Sequence, residues 1–482
     1  MELPDLIALG AYFALLLWIG LRAARVRPGS SAHESFLAAD RDTGLVATTA
    51  STAATDLGGG FSIAMGGLGF SLGISGSWLI AISGLSAIFV AFLLVPKVKP
   101  WTDRTRGLTT GDLFEARFDR RTGTLAAFVV GLAWLTFVGA QIVAGGKLLQ
   151  ATVGVDLGLA VAVAGIFIVG YTAVGGLKAV IHTDVLQAAV LFVGVVCIAA
   201  PLGLYRVGGW SGLAASLGSS PETASLLDWG AAGWAQIGGW LLAVFPVWFV
   251  SITSMQRIIA ARDEPTARRA FLLTGVPIEW PLFAVGTCLI GMVARVLLPE
   301  LDDPELATPL LLLEILPAGV AGFVLAGYVA AVMSTADSCL IGPAAVVAND
   351  LYRKRLRPRA SEADVLRVAR LATVVLGIGA IASAYLIPNV LDLLIYAYTF
   401  AAAGLFFPML ALLFWPRATA TGAFASMLLG GGSAICWVLA GEPWGIPSAA
   451  MAWFVGLPVI AAVSLASGHR PSEQPRLFEA GD

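Results

Sequence analysis

The sequence predicts an all-α polytopic membrane protein of about thirteen transmembrane helices. They are arranged as two inverted units of about five, each with a broken first helix. Three observations carry this. Apolar residues make up 58% of the 482-residue chain and charged ones only 12%, with a mean hydropathy of +0.85, far outside the range of soluble domains. Apolar runs of roughly 20 residues, each long enough to cross a bilayer, recur along the whole length. Two of those runs are interrupted by helix breakers at corresponding places.

Taken in order, the runs are 4–24, 44–70, 73–96, 123–150, 157–175, 180–205, 229–255, 266–298, 309–351, 363–387, 388–414, 418–440 and 446–467. Basic residues cluster after the first, third, seventh and ninth runs: Arg22 to Arg41, Lys97 to Arg121, Arg257 to Arg269, and Arg353 to Arg370. Basic loops stay on the cytoplasmic side. An odd number of crossings with the N-terminus outside and the C-terminus cytoplasmic places all but Lys147, Arg206 and Arg295 of the 29 Lys and Arg residues inside. Glu300, Asp302, Asp303 and Glu305 fall on the other side. The expected location is the inner (plasma) membrane, as a multi-pass protein.

One transporter domain is expected over 1–482. It divides into a leading helix and loop (1–42), a first five-helix repeat (43–206), a second (228–414), two trailing helices (415–468) and a cytoplasmic tail (469–482). The first apolar stretch lacks a basic region before it and an evident cleavage site, so it reads as a retained helix.

The first interruption is A-A-T-D-L-G-G-G-F at 53–61. Each glycine costs a helix roughly 1 kcal/mol against alanine, so three in succession beside an acid favour unwinding. A carboxylate at bilayer depth costs on the order of 3 kcal/mol and marks an ion or solute path. Free carbonyls beside Asp56 need a partner, which a small cation supplies. The second interruption is 238–251, where Pro246 removes a backbone donor deep in the seventh run. Matched breaks in inverted halves point to a midplane binding site; helix packing alone is the plainer reading of either one.

In the ninth run, A-V-M-S-T-A-D-S at 331–338 places Ser334 and Ser338 on one helix face, with Thr335 and Asp337 flanking. Hydroxyls, carbonyls and carboxylates suit alkali cations, although membrane serines and threonines also bond their own backbone or neighbouring helices. Asp184 begins the sixth run, where it lines a cation exit, caps the helix or pairs with Lys178. Glu279 has no partner evident in the sequence, and no arginine is expected in the core. Phe61, Trp134, Phe245, Trp248, Tyr396 and Tyr398 are the aromatic residues near the expected midplane.

Several classes are excluded. A net charge of −2 without a long basic run argues against nucleic acid. Three isolated histidines, and the lack of H-E-x-x-H, G-x-S-x-G or a P-loop, argue against an enzyme. The four cysteines lack metal spacing and read as buried small hydrophobes.

Several ordered stretches resemble the sodium:solute symporter family: E-S-F-L-A-A-D-R-D-T-G-L-V at 34–46, L-T-T-G-D-L-F-E-A-R-F at 108–118, G-A-Q-I-V-A-G-G-K-L-L at 139–149, 171–187, A-A-V-M-S-T-A-D-S at 330–338 and N-D-L-Y at 349–352. The resemblance implies the leucine-transporter fold. It also implies a principal sodium site made by the carbonyls of Ala54, Leu57 and Ala331 with the hydroxyls of Ser334 and Thr335. A second sodium, or an exit path, falls near Asp184, Asp337 and Ser338. Asp56 matches an acid of the proline-transporting branch, while G-G-G and S-T-A-D-S are more like the choline-transporting branch.

The expected function is sodium-coupled import of a small zwitterionic or cationic solute, an amino acid, betaine or choline-like molecule, by alternating access. The expected solute contacts are Asp56, Gly58, Phe61, Trp134, Gln141, Phe245, Trp248 and Tyr398. Asp56 and the ring faces suit a cationic nitrogen, and a broken helix offers amide ends to one carboxylate. Sodium, the solute and the bilayer are the expected partners. A solute sensor and a proton-coupled carrier are the alternatives.

Overall fold

The computed structural model describes residues 2–23 and 38–467. The basic segment with Arg25 and Arg27, part of the 34–46 motif and the expected tail at 469–482 lie outside them. Helix dominates, and the described residues contain no strand beyond an isolated bridge between Thr43 and Ala261. Among the described residues, ten helices are long and apolar enough to cross a membrane. The expected count of thirteen is not reached among these, and at one expected boundary the helix continues. Gly59–Leu93 carries the end of the second run and most of the third.

The principal helices are α1 (Leu3–Ala23), α2 (Leu45–Asp56), α3 (Gly59–Leu72), α4 (Trp78–Leu93), α5 (Thr110–Arg117), α6 (Arg120–Val153) and α7 (Leu157–Phe192). Then come α8 (Trp234–Val244), α9 (Val247–Val250), α10 (Ile252–Ala260), α11 (Glu264–Leu273) and α12 (Ala284–Leu297). The last are α13 (Val320–Ala345), α14 (Glu362–Leu386), α15 (Val390–Phe414), α16 (Ala420–Leu439) and α17 (Leu457–Ala466). Polar side chains start many of them. Asp119, Asp156, Asp263, Ser361, Asn389 and Thr419 each accept a hydrogen bond from a first-turn N–H, and Thr109 with Asp112 forms a capping box. Each such cap is worth about 1 kcal/mol.

Both expected breaks are present. Helix α2 ends at Asp56, Gly58 is extended (φ −44°, ψ 168°), and α3 resumes one residue later. In the second broken segment α8 stops before Phe245 and Pro246. Ser251 then leaves helical geometry (ψ 129°), and its hydroxyl caps α10 by accepting from the N–H groups of Thr253 and Ser254 at 3.2 and 3.3 Å. The breaks are tied end to end. Thr43, just before α2, donates its N–H to Ala260 at 2.9 Å and accepts from Arg262 at 3.0 Å.

Around the breaks, α13 is buried along nearly its whole length against α6 and α7. Helix α3 lies so close to α12 that a Cβ on Gly291 would sit 2.1 Å from the carbonyl oxygen of Gly66. Small residues permit such contacts between membrane helices, where packing replaces the hydrophobic drive. Lys147, one of the cations that departed from the loop pattern, pairs with Asp303 and Glu305, both at 2.6 Å. Glu305 also accepts the N–H groups of Val390 and Leu391, which joins α6 to the start of α15. At the face with the basic loops, Lys178 pairs with Asp40 at 2.7 Å rather than with Asp184.

Candidate functional site

The first break and α13 meet directly. Thr335 Oγ1 donates to the carbonyls of Ala54 at 3.2 Å and Thr55 at 3.1 Å. A Cβ on Gly58 would fall 1.8 Å from that hydroxyl, and one on Gly59 2.8 Å from the backbone nitrogen of Val332. Hence Ala54, Thr55 and Thr335 bring hard oxygen groups together at one crossing, with Ala331 one turn before Thr335 on α13. Two of the expected ligands are engaged elsewhere. The Leu57 carbonyl accepts from Ser62 Oγ at 2.8 Å, and Ser334 Oγ donates to Asp184. Gly58 is therefore a packing residue at this crossing and not a wall of the solute cavity. Gly58→Ala is expected to push Thr335 off Ala54 and lower the sodium response of purified protein at least tenfold, read by sodium-dependent thermal shift.

The second group departs from expectation. Asp184, fully buried, accepts from Ser51 Oγ at 2.5 Å and from Arg257 Nη2 at 3.2 Å. Arg257 Nη2 also donates to Thr55 Oγ1 at 2.6 Å and to Ser338 Oγ at 2.7 Å, while Nε reaches Ser51 and Nη1 reaches Gln256, both at 3.1 Å. A guanidinium thus stands among the oxygens expected to hold a second sodium. Asp337 is not among them; its carboxylate accepts from Thr172 of α7. The expectation of a core without arginine is likewise corrected. Arg257 is 1% exposed, because α10 continues through it and aims it inward.

Between the two broken helices lies a narrow cavity of about 20 Å³. Of the expected solute contacts, Asp56, Trp134, Trp248 and Tyr398 line it. Ser251, Ser254 and Thr55 add hydroxyls, and Phe137 stacks with Trp134 and lies 5.4 Å from Tyr398. Asp56 accepts from Ser83 Oγ at 2.9 Å, which in turn accepts from Trp248 Nε1 at 2.7 Å. Three expected contacts stand back from this wall. Phe61 packs behind Tyr398 at 5.9 Å. Gln141 accepts the Gly60 N–H at 2.9 Å and braces the broken helix. Phe245 points into a cluster with Phe89, Phe249 and Phe406, since the kink at Pro246 turns it away.

Residues 36–430 match the Sodium:solute symporter family. The chain is 26% identical to the osmoregulated proline transporter OpuE of Bacillus subtilis, over 92% of this chain and 90% of that protein. It is 28% identical to the sodium/pantothenate symporter of Escherichia coli, over 89% and 90%. Its fold is similar to that of a Na+-coupled sialic acid symporter solved in a substrate-bound outward-open state. The TM-score is 0.77 at 19% identity, over 97% of this chain and 98% of the other.

Proposed function

Because the chain belongs to the sodium:solute symporter family, we propose that it couples sodium entry to import of a small zwitterionic or cationic solute held at the Asp56 cavity. Sodium is the coupling ion, and the protein is a multi-pass membrane transporter rather than an enzyme. The observation that carries the site reading is the contact of Thr335 Oγ1 with the Ala54 carbonyl at the break. It joins the unwound helix to α13 through oxygen atoms alone, the donor set a hard cation selects. On this reading the carbonyls of Ala54, Leu57 and Ala331 and the hydroxyls of Ser334 and Thr335 hold sodium once Ser62 and Asp184 release two of them.

The solute class follows from charge. Arg257 reaches the cavity, yet its donors are already shared among Ser51, Thr55, Asp184, Gln256 and Ser338. A dianionic solute therefore finds no free cationic partner there, whereas a cationic nitrogen finds Asp56 and the faces of Trp134, Trp248 and Tyr398. A single carboxylate is served by amide ends at the breaks. Proline, the named solute of one relative, has this charge pattern.

Transport then proceeds by relative movement of the units at 43–206 and 228–414, with the N-terminus outside and the C-terminus in the cytoplasm. Sodium that favours one arrangement raises solute affinity, and the solute reciprocally raises sodium affinity. A membrane potential adds about 2.3 kcal/mol per charge per 100 mV. Arg257 and the Thr43 to Ala261 pairing hold α2 and α10 together, so opening at the basic-loop face requires both to part.

The test uses proteoliposomes under an inward sodium gradient, with labelled proline, glycine betaine, choline and a dicarboxylate. Uptake of one of the first three that collapses when potassium replaces sodium at fixed pH supports the reading. Sodium-driven uptake confined to the dicarboxylate overturns the solute class.

A further inference from the structure

Glu279 is a buried acid that neither the sodium crossing nor the cavity wall uses. It sits in a π-helical segment, Thr274–Phe283, and is 0% exposed. Neither of its carboxyl oxygens accepts a hydrogen bond from any described residue. Its polar neighbours are Asp56 and Ser83, an acid and a hydroxyl. The Ser83 proton goes to Asp56 at 2.9 Å, and the Trp248 N–H goes to Ser83. With both acids ionised, four carboxyl oxygens would share one hydroxyl proton. Among the described residues no lysine, arginine or histidine forms an ion pair with either acid.

The backbone brings the two elements into close contact. Helix α4 crosses the π-helical segment at two glycines. A Cβ on Gly84 would lie 2.6 Å from the Gly275 carbonyl oxygen and 3.6 Å from Glu279 Oε2, and one on Gly275 would lie 2.6 Å from the Gly84 carbonyl oxygen. Two adjacent carboxylates in a low-dielectric interior cost several kcal/mol each unless positive charge joins them. The carboxyl and hydroxyl oxygens of Asp56, Glu279 and Ser83 are hard donors, which select an alkali ion over a softer metal. Glu279 is not part of the cavity wall, so an organic ammonium in the cavity meets Asp56 and not Glu279.

We propose that Asp56, Glu279 and Ser83 form a second sodium site behind the solute cavity, distinct from the crossing of Ala54 with Thr335. One monovalent ion there neutralises one of the two acids and leaves the other charge, on the cavity side, for a cationic nitrogen. The site rests on the proposed function only in that Asp56 faces the solute; the ion itself is bound without solute.

Equilibrium binding of radioactive sodium to the purified full-length protein, with no solute present, tests it. The expected result is two ions per protein for the unaltered chain, one for Glu279→Gln, and one for Ser334→Ala with Thr335→Ala. Ser83→Ala, a milder change that keeps both acids, is expected to weaken one of the two sites roughly tenfold. It keeps the proposal testable where Glu279→Gln does not purify. Sodium binding unchanged in both Glu279→Gln and Ser83→Ala overturns the site, and so does a stoichiometry of one in the unaltered chain. A Glu279→Gln protein that keeps its sodium but releases fewer protons on alkaline titration assigns a shared proton instead, and equally overturns it. Should the Ser334 and Thr335 variant keep two ions while Glu279→Gln keeps one, the principal-site reading fails and this one stands.

Discussion

Arg257→Met is expected to destabilise the protein by about 3–5 kcal/mol, the cost of removing one partner from a fully buried ion pair. Arg257 and Asp184 are 1% and 0% exposed. Without the guanidinium, Asp184 retains only the hydroxyls of Ser51 and Ser334, which do not neutralise it. The same change frees Thr55 and Ser338, so α2, α7 and α13 lose a side chain that touches all three. Replacing both members with neutral residues of similar size is far less costly, because no uncompensated charge is left. Arg257→Met with Asp184→Asn is therefore expected to recover most of the thermal stability lost in Arg257→Met alone. The comparison needs both single variants and the double variant, measured by thermal unfolding of purified protein, with the coupling energy taken from the cycle. Additive losses in the double variant would show that the pair contributes no more than two separate contacts.

Much of the fold was legible because its signals are local. The three glycines after Asp56 and the proline at 246 break helices wherever they fall, and both breaks are found. The face shared by Ser334, Thr335 and Ser338 follows from helical period alone. Arg257 was not legible, because charge in sequence carries no direction. It stands at the start of a run of arginines that a loop explains, and the end of the seventh run was placed just before it. The available signal was the apolar company of Ile252, Met255, Ile258 and Ile259, which continues the helix past the arginine with one buried face. Glu279 shows the same limit. An isolated acid in an apolar run announces function or strain, but its neighbours Asp56 and Ser83 are far away in the chain, and only the packing of α2 and α4 against the π-helical segment brings them together. The family resemblance grouped Asp337 with Ser338, whereas neighbouring helical residues point about 100° apart. It faces α7, and Ser338 faces α10.

Ser334→Ala with Thr335→Ala is expected to abolish sodium-stimulated uptake while leaving the protein folded in the membrane. The two hydroxyls differ in what they do without the ion. Thr335 bonds the Ala54 and Thr55 carbonyls across the break, whereas Ser334 is turned to Asp184. Thr335→Ala alone removes a direct tie between the halves, a neutral hydrogen bond worth about 1 kcal/mol, which membrane packing around α13 tolerates. Ser334→Ala alone leaves Asp184 with Ser51 and the Arg257 guanidinium, so folding is again preserved. What both variants lose is hard oxygen at one place. Each lost ligand weakens ion binding by roughly tenfold, and by reciprocity the solute loses the affinity that sodium confers. The double variant should thus show solute binding that no longer responds to sodium, not merely slower uptake. Equilibrium solute binding to purified protein at low and high sodium separates these outcomes. Retention of the full sodium effect on affinity in the double variant places the coupling ion elsewhere, and the same measurement on Glu279→Gln then tests whether Asp56 and Glu279 hold it.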